Sequence, residues 1–167
     1  MWLVMQAQRG DADAFVELIE KHKKSLYKVA KSYMRCEEDV ADAMSETVLS
    51  AYEHIKELKN PMYFKTWITR ILINQCKSML QEQNKYWLTE ELEEPAYEEH
   101  TQSDIEFYEI LEELPEQDRI LFVLYYGEGF TTKQISGILG IKENTIVSRL
   151  SRGRKKLYDF FQNEAVL

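Results

Sequence analysis

The sequence predicts an all-α protein: two small helical domains joined by an acidic flexible linker, the second domain a helix-turn-helix. Three observations predict it. Apolar residues recur at helical spacing along most of the 167 residues, and no run alternates apolar and polar side chains as a half-buried strand does. Glycine and proline, which punctuate chains of many short strands, number only six and three. Between residues 82 and 103 the periodicity lapses into EQNKYWLTEELEEPAYEEHTQS, an acidic stretch that contains Pro95.

The N-terminal domain is expected over residues 1–81. Asp11 can cap a helix from Ala12 to about Lys23, with Phe15, Leu18 and Ile19 inward. A second helical stretch follows to about Met34, burying Leu26, Val29, Ala30 and Tyr33. A third runs from about Glu37 to Ile55 on Val40, Ala43, Met44, Val48 and Ala51. Asn60-Pro61 breaks the pattern, and a fourth helix runs from about Phe64 to Leu80. A domain of this size is just large enough to hold its own core.

Residues 82–103 are the expected linker, and the C-terminal domain occupies 104–167. Helical spacing resumes at Asp104 with Ile105, Tyr108, Ile110 and Leu111. Pro115 suits the first position of the next helix, which carries Ile120, Leu121 and Leu124. Then comes TTKQISGILGIKENTIVSRLSRGRKK, from Thr131 to Lys156. Thr131 and Gln134 have capping-box spacing. Ile135, Ile138 and Leu139 form an apolar face, and Gly140 falls where the helix must end in the left-handed conformation. After Ile141, a second helix places Ile146, Leu150 and Leu157 inward, with Gly153 as a close-approach point. Its other faces carry Asn144, Thr145, Ser148, Arg149, Arg152, Arg154, Lys155 and Lys156. A basic second helix after a tight turn suits a DNA major groove.

Charge mapped along the chain agrees. The net charge is −8, which spread evenly would repel nucleic acid. Residues 1–81 carry 12 basic and 11 acidic groups, residues 82–118 one basic and 14 acidic, and residues 119–167 eight basic and four acidic. The negative charge is therefore concentrated in the middle, and both ends can approach phosphates. Other classes are disfavoured. His22, His54 and His100 are scattered, and Cys36 and Cys76 have no partner at ligand spacing, so no metal or other cofactor is expected. No phosphate loop or nucleophile elbow is present, and the protein is not expected to be an enzyme. No apolar run reaches the ~18 residues of a membrane span. The first fifteen residues lack the basic leader of a signal peptide, so a cytoplasmic protein without membrane insertion is expected.

A second chemical feature surrounds the Asn60-Pro61 break. Lys59, Asn60, Tyr63, Phe64, Lys65 and Trp67 crowd three aromatics and two lysines together, and Arg70, Asn74 and Lys77 follow on one helical face. Rings stack unpaired bases while cations track the backbone. Phe64 and Trp67, three apart, equally suit a core.

In this order and spacing the chain resembles the extracytoplasmic-function class of bacterial sigma factors, over about residues 7–160. The resemblance rests on Ala14-Phe15 with Leu18, Leu26-Tyr27 with Ala30, DVADAMSET from Asp39, FKTWI from Phe64 with Arg70-Ile71 and Asn74, Leu114-Pro115 with Arg119, and Gly140 through Leu157. It implies a specificity subunit that binds core RNA polymerase and directs transcription initiation at promoter DNA. It implies that the helix from Asp39 to Ala51 docks on the polymerase, with Asp39, Asp42 and Glu46 as the acidic contacts. Lys59, Asn60, Tyr63, Phe64, Lys65 and Trp67 would capture the melted −10 strand, with Arg70, Asn74 and Lys77 against the same element. Asn144, Thr145, Ser148, Arg149, Arg152, Arg154, Lys155 and Lys156 would read the −35 element. The resemblance further implies that the linker threads near the polymerase active centre, and that an anti-sigma factor is a partner. The chain departs from the family at Ser45-Glu46 and Val48, where Gln-Glu and an aromatic are usual, and at Val147, where a lysine is usual. The competing expectation is a helix-turn-helix regulator that binds a palindromic operator as a dimer.

Overall fold

A computed structural model describes residues 1–34, 36–86 and 102–164. The described residues are helical and contain no strand. Contacts divide the chain into two compact units, Met1–Pro95 and Ala96–Leu167.

The first unit opens with α1 (Trp2–Gln8), a two-turn helix that the sequence pattern does not announce. It has no side-chain cap and holds on through Val4 and Ala7, which are buried. Gly10, at φ 97°, turns the chain into α2 (Ala12–Lys31). Asp11 caps α2 as expected, accepting from the Ala14 N–H at 3.0 Å. The two expected helical stretches are one continuous helix, because no glycine or proline interrupts them. Ion pairing closes the turn into α3 (Glu37–His54): Lys31 and the Tyr27 hydroxyl both reach the Glu37 carboxylate. A 3₁₀ turn over Ile55–Glu57 and another over Pro61–Tyr63 lead into α4 (Phe64–Tyr86). The structure carries α4 past Leu80 and across the first five residues of the expected linker. Gln81–Gln83 contain no breaker, so the helix simply continues. Residues 87–101 of that linker, with Pro95 and His100, lie outside the described residues, and its last two, Gln102 and Ser103, already belong to the next helix.

Leu26, Val29, Ala30, Val40, Ala43, Ile68, Leu72 and Ile73 form the core of this unit. Cys76 is fully buried there, and desolvation pushes its thiol up to about 12. The Tyr33 phenol is raised too, again chiefly by burial. Both stay protonated at neutral pH, which removes Cys76 as a nucleophile.

The second unit is built from α5 (Gln102–Glu112), α6 (Glu116–Phe122), α7 (Thr132–Leu139) and α8 (Glu143–Glu164). Pro115 sits one residue earlier than expected, as the N-cap of α6. Arg119 folds back over that turn, donating to the carbonyls of Leu114 and Glu112, each at 3.1 Å. α6 then widens into a π-helical turn over Val123–Gly127. Leu121, Leu124, Ile135, Ile146 and Leu150 are the buried centre.

Candidate nucleic-acid interface

The helix-turn-helix is assembled from local chemistry. The Gln134 N–H donates to the Thr131 hydroxyl at 3.2 Å, and the Thr131 N–H donates to the Gln134 side chain at 2.9 Å, which completes the capping box. Gly140 ends α7 at φ 70°. The Ser136 hydroxyl donates to the Ile141 carbonyl at 2.7 Å, and the Thr132 hydroxyl to Glu143 at 2.5 Å, so the turn is tied to both helices.

Gly153 lies where α8 crosses α6. A Cβ built there would stand 2.5 Å from the Phe122 ring and 3.5 Å from Leu114. Phe122 is itself buried, so the ring has little room to retreat. Gly153→Ala should therefore lower stability by about 1–2 kcal/mol: overpacking costs ~1–3 kcal/mol, offset by up to ~1 kcal/mol of helix propensity. A denaturant melt checks the sign, since alanine at an open helical glycine would instead stabilise.

α8 sorts its polar residues into distinct groups. Asn144, Ser148, Arg152 and Lys155 recur at helical spacing on the exposed face, with Thr145 beside them. Ser148 donates to the Thr145 carbonyl at 2.9 Å. Arg152 and Lys155 have no hydrogen-bonded or ionic partner among the described residues. Arg149 lies off that free face. Its Nε donates to Asp118 at 2.6 Å and its Nη2 to Gln117 at 3.1 Å. The two ion-paired side chains are 17% and 16% exposed. Arg149, expected among the residues that read the −35 element, fastens α8 to α6 in the structure. Arg154 points to the other flank, donating to the Tyr126 hydroxyl at 3.0 Å, and Lys156 donates to the Glu113 carbonyl.

In the first unit, α4 presents Trp67, Arg70, Asn74 and Lys77 at spacings of three, four and three, hence on one face. Arg70, Asn74 and Lys77 are exposed, and Trp67 is half-buried. Lys59 and Tyr63 are exposed just before the helix, Tyr63 at 57%. Met62, at 75%, stands beside it, a thioether that neither aromatic nor basic patterning singles out. Asn60 has a different duty from the expected one: its side chain accepts from the Met62 N–H at 3.0 Å and caps the second 3₁₀ turn. Phe64 is only 3% exposed, with its ring edge-on to His22 at 5.2 Å and 5.8 Å from Trp67. It is a core residue and cannot stack on a base. Lys65 is half-buried on the opposite side of the first turn from Arg70.

On α3, Asp42 and Glu46 are exposed one turn apart, and Asp39 is half-buried at the start of the stripe. Leu49, 54% exposed, continues this stripe and lines an open groove of about 610 Å³ between α2 and α3, with Phe15, Ile19, Met44 and Val48. Among the described residues no His, Cys, Asp and Glu side chains cluster to hold a metal. His22 and His54 each lie 2.8 Å from a carbonyl of their own helix. No helix among those residues is long and apolar enough to cross a membrane.

Comparison with known proteins matches residues 18–86 to Sigma-70 region 2 and residues 104–157 to Sigma-70 region 4. The chain is 29% identical over 155 residues to the RNA polymerase sigma factor SigV of Bacillus subtilis, covering 90% of this chain and 93% of that one. It is 29% identical over 152 residues to the ECF RNA polymerase sigma factor SigM of Mycobacterium tuberculosis, covering 89% and 77%. Its fold is similar to that of the sigma factor RpoE of Bartonella quintana, solved in complex with the anti-sigma factor NepR. That likeness has a TM-score of 0.71 at 21% identity and covers 89% of this chain and 96% of that one.

Proposed function

We infer from the sigma-70 family, to which this chain belongs as an extracytoplasmic-function sigma factor, how its surfaces divide the work of starting transcription. The protein is a non-enzymatic initiation factor that directs transcription, and a dimeric operator-binding regulator is not favoured. The division of labour is our reading. Core RNA polymerase docks on α3 through Asp39, Asp42 and Glu46, with Leu49 and the neighbouring groove adding apolar area to the acidic stripe. Lys59, Tyr63, Trp67, Arg70, Asn74 and Lys77 capture the −10 strand as it melts. Asn144, Thr145, Ser148, Arg152 and Lys155 read the −35 element, while Arg154 and Lys156 approach flanking phosphates. The acidic linker expected over residues 82–103 joins the two promoter-binding domains. The protein works in the cytoplasm, where polymerase and promoters are. By analogy with RpoE and NepR, an anti-sigma factor holds it inactive.

The observation that carries this reading is the exposed row from Tyr63 to Lys77: one accessible ring followed by a cationic helical face. Stacking is worth ~1–3 kcal/mol per base. Tyr63→Ala should therefore leave closed-complex formation by the holoenzyme nearly normal and lower the permanganate reactivity of −10 thymines by about tenfold. A premelted bubble template should restore transcription. Equal loss of closed-complex binding, or no rescue by the bubble, would falsify the assignment.

A further inference from the structure

The geometry points to Gln8 as a positioning residue for promoter opening: from α1 it holds the loop that presents Lys59, Met62 and Tyr63. This rests on the reading of that loop as the strand-capture surface. α1 precedes the segment matched to region 2, which begins at residue 18. α3 ends at His54, where the last carbonyls of a helix have no partner within it. The chain then turns through Ile55–Glu57, and the side chains of Ile55 and Leu58 are buried beneath it. The Gln8 side-chain nitrogen donates to the Ile55 carbonyl at 3.0 Å and to the Leu58 carbonyl at 2.8 Å. A carboxamide nitrogen has two hydrogens, so one group serves both acceptors. The Ile55 carbonyl also receives the Leu58 N–H at 3.2 Å, which fixes the turn's shape.

The residue after Leu58 is Lys59, and the next, Asn60, caps Pro61–Tyr63. The exposed loop is thus held at both ends, by Gln8 on the Leu58 carbonyl and by Asn60 on the Met62 N–H. Phe64 anchors its exit in the core. Held in this way, the loop has less freedom to lose when it takes up a base. Without Gln8 the two carbonyls can be satisfied by water in several arrangements, and Tyr63 is no longer presented in one place. Gln8 itself is half-buried and touches no DNA in this scheme.

The test uses the holoenzyme with Gln8→Met, which keeps the volume and removes both donors, and with Gln8→Glu, which sets a carboxylate against two carbonyl oxygens. Tyr63→Ala is run in parallel. Opening of duplex promoter, read by permanganate-reactive thymines, should slow about tenfold in Gln8→Met and more in Gln8→Glu. Core binding and transcription from a premelted bubble, which require a folded first unit, should stay within about twofold. If core binding and bubble transcription fall in step with opening, Gln8 is merely structural and the proposal is overturned. If Tyr63→Ala impairs opening and neither Gln8 variant does, the proposal fails while the strand-capture reading stands. If Tyr63→Ala opens DNA normally, both fail together.

Discussion

Arg149→Ala should cost the second unit about 2 kcal/mol of stability, because it strands a largely buried Asp118. Removing one partner of a fully buried pair costs ~3–5 kcal/mol, and side chains 17% and 16% exposed sit somewhat below that limit. Arg149→Lys should recover only part of the loss, since an ammonium cannot reach Asp118 and Gln117 in the same planar fork. Promoter binding by Arg149→Ala should fall at every sequence alike, through the displaced helix. Arg152→Ala should do the reverse. Arg152 is exposed on the face of α8 opposite Ile146 and Leu150. Its loss should change stability by less than ~0.5 kcal/mol and cost ~1–3 kcal/mol of binding with relaxed sequence preference. Urea midpoints and competition against promoter variants separate the two. Unchanged stability in Arg149→Ala would return Arg149 to the DNA-contacting set.

Reversing Asp42 and Glu46 to lysine should abolish co-elution with core polymerase. The two carboxylates stand four residues apart on one exposed face, so a single basic surface can meet both. Opposing like charges cost several kcal/mol across an interface, which weakens binding by at least ~100-fold. Circular dichroism should be unchanged, because neither side chain is buried or bridged to another described residue. A Leu49→Ser variant should weaken the same interaction by less, by removing apolar area where the acidic stripe meets the groove. Retained co-elution of the double reversal would move the docking surface elsewhere.

The helix-turn-helix was legible because its determinants are local. The capping pair is three residues apart, Gly140 marks its own backbone, and Gly153 sits on the inward face with Ile146 and Leu150. The ion pair of Arg149 was not legible because its partner lies 31 residues away in sequence. Periodicity places a residue on a face but does not say whether a carboxylate waits there. Phe64 and Trp67 illustrate the same limit in the first unit. Each suits a core or a nucleic-acid platform by spacing, and the structure buries the first while leaving the second half-accessible. Asn60 was expected in the strand-capture set, yet an asparagine before Pro61 is equally a cap. α1 escaped notice because seven residues without a side-chain cap carry little periodic signal, and its hold on Ile55 and Leu58 spans about fifty residues.

In the proposed division of labour one chain supplies core polymerase with both the opening surface, on α4, and the reading surface, on α8. Run-off transcription with purified core polymerase and a randomised promoter library tests it most directly, comparing wild type with Tyr63→Ala and Arg152→Ala. Transcription is expected only when this chain is added. Selected templates should share two separated elements. Arg152→Ala should relax the upstream element alone, and Tyr63→Ala should suppress duplex templates but not premelted ones. Selection of a single palindromic element, or transcription indifferent to both substitutions, would contradict it.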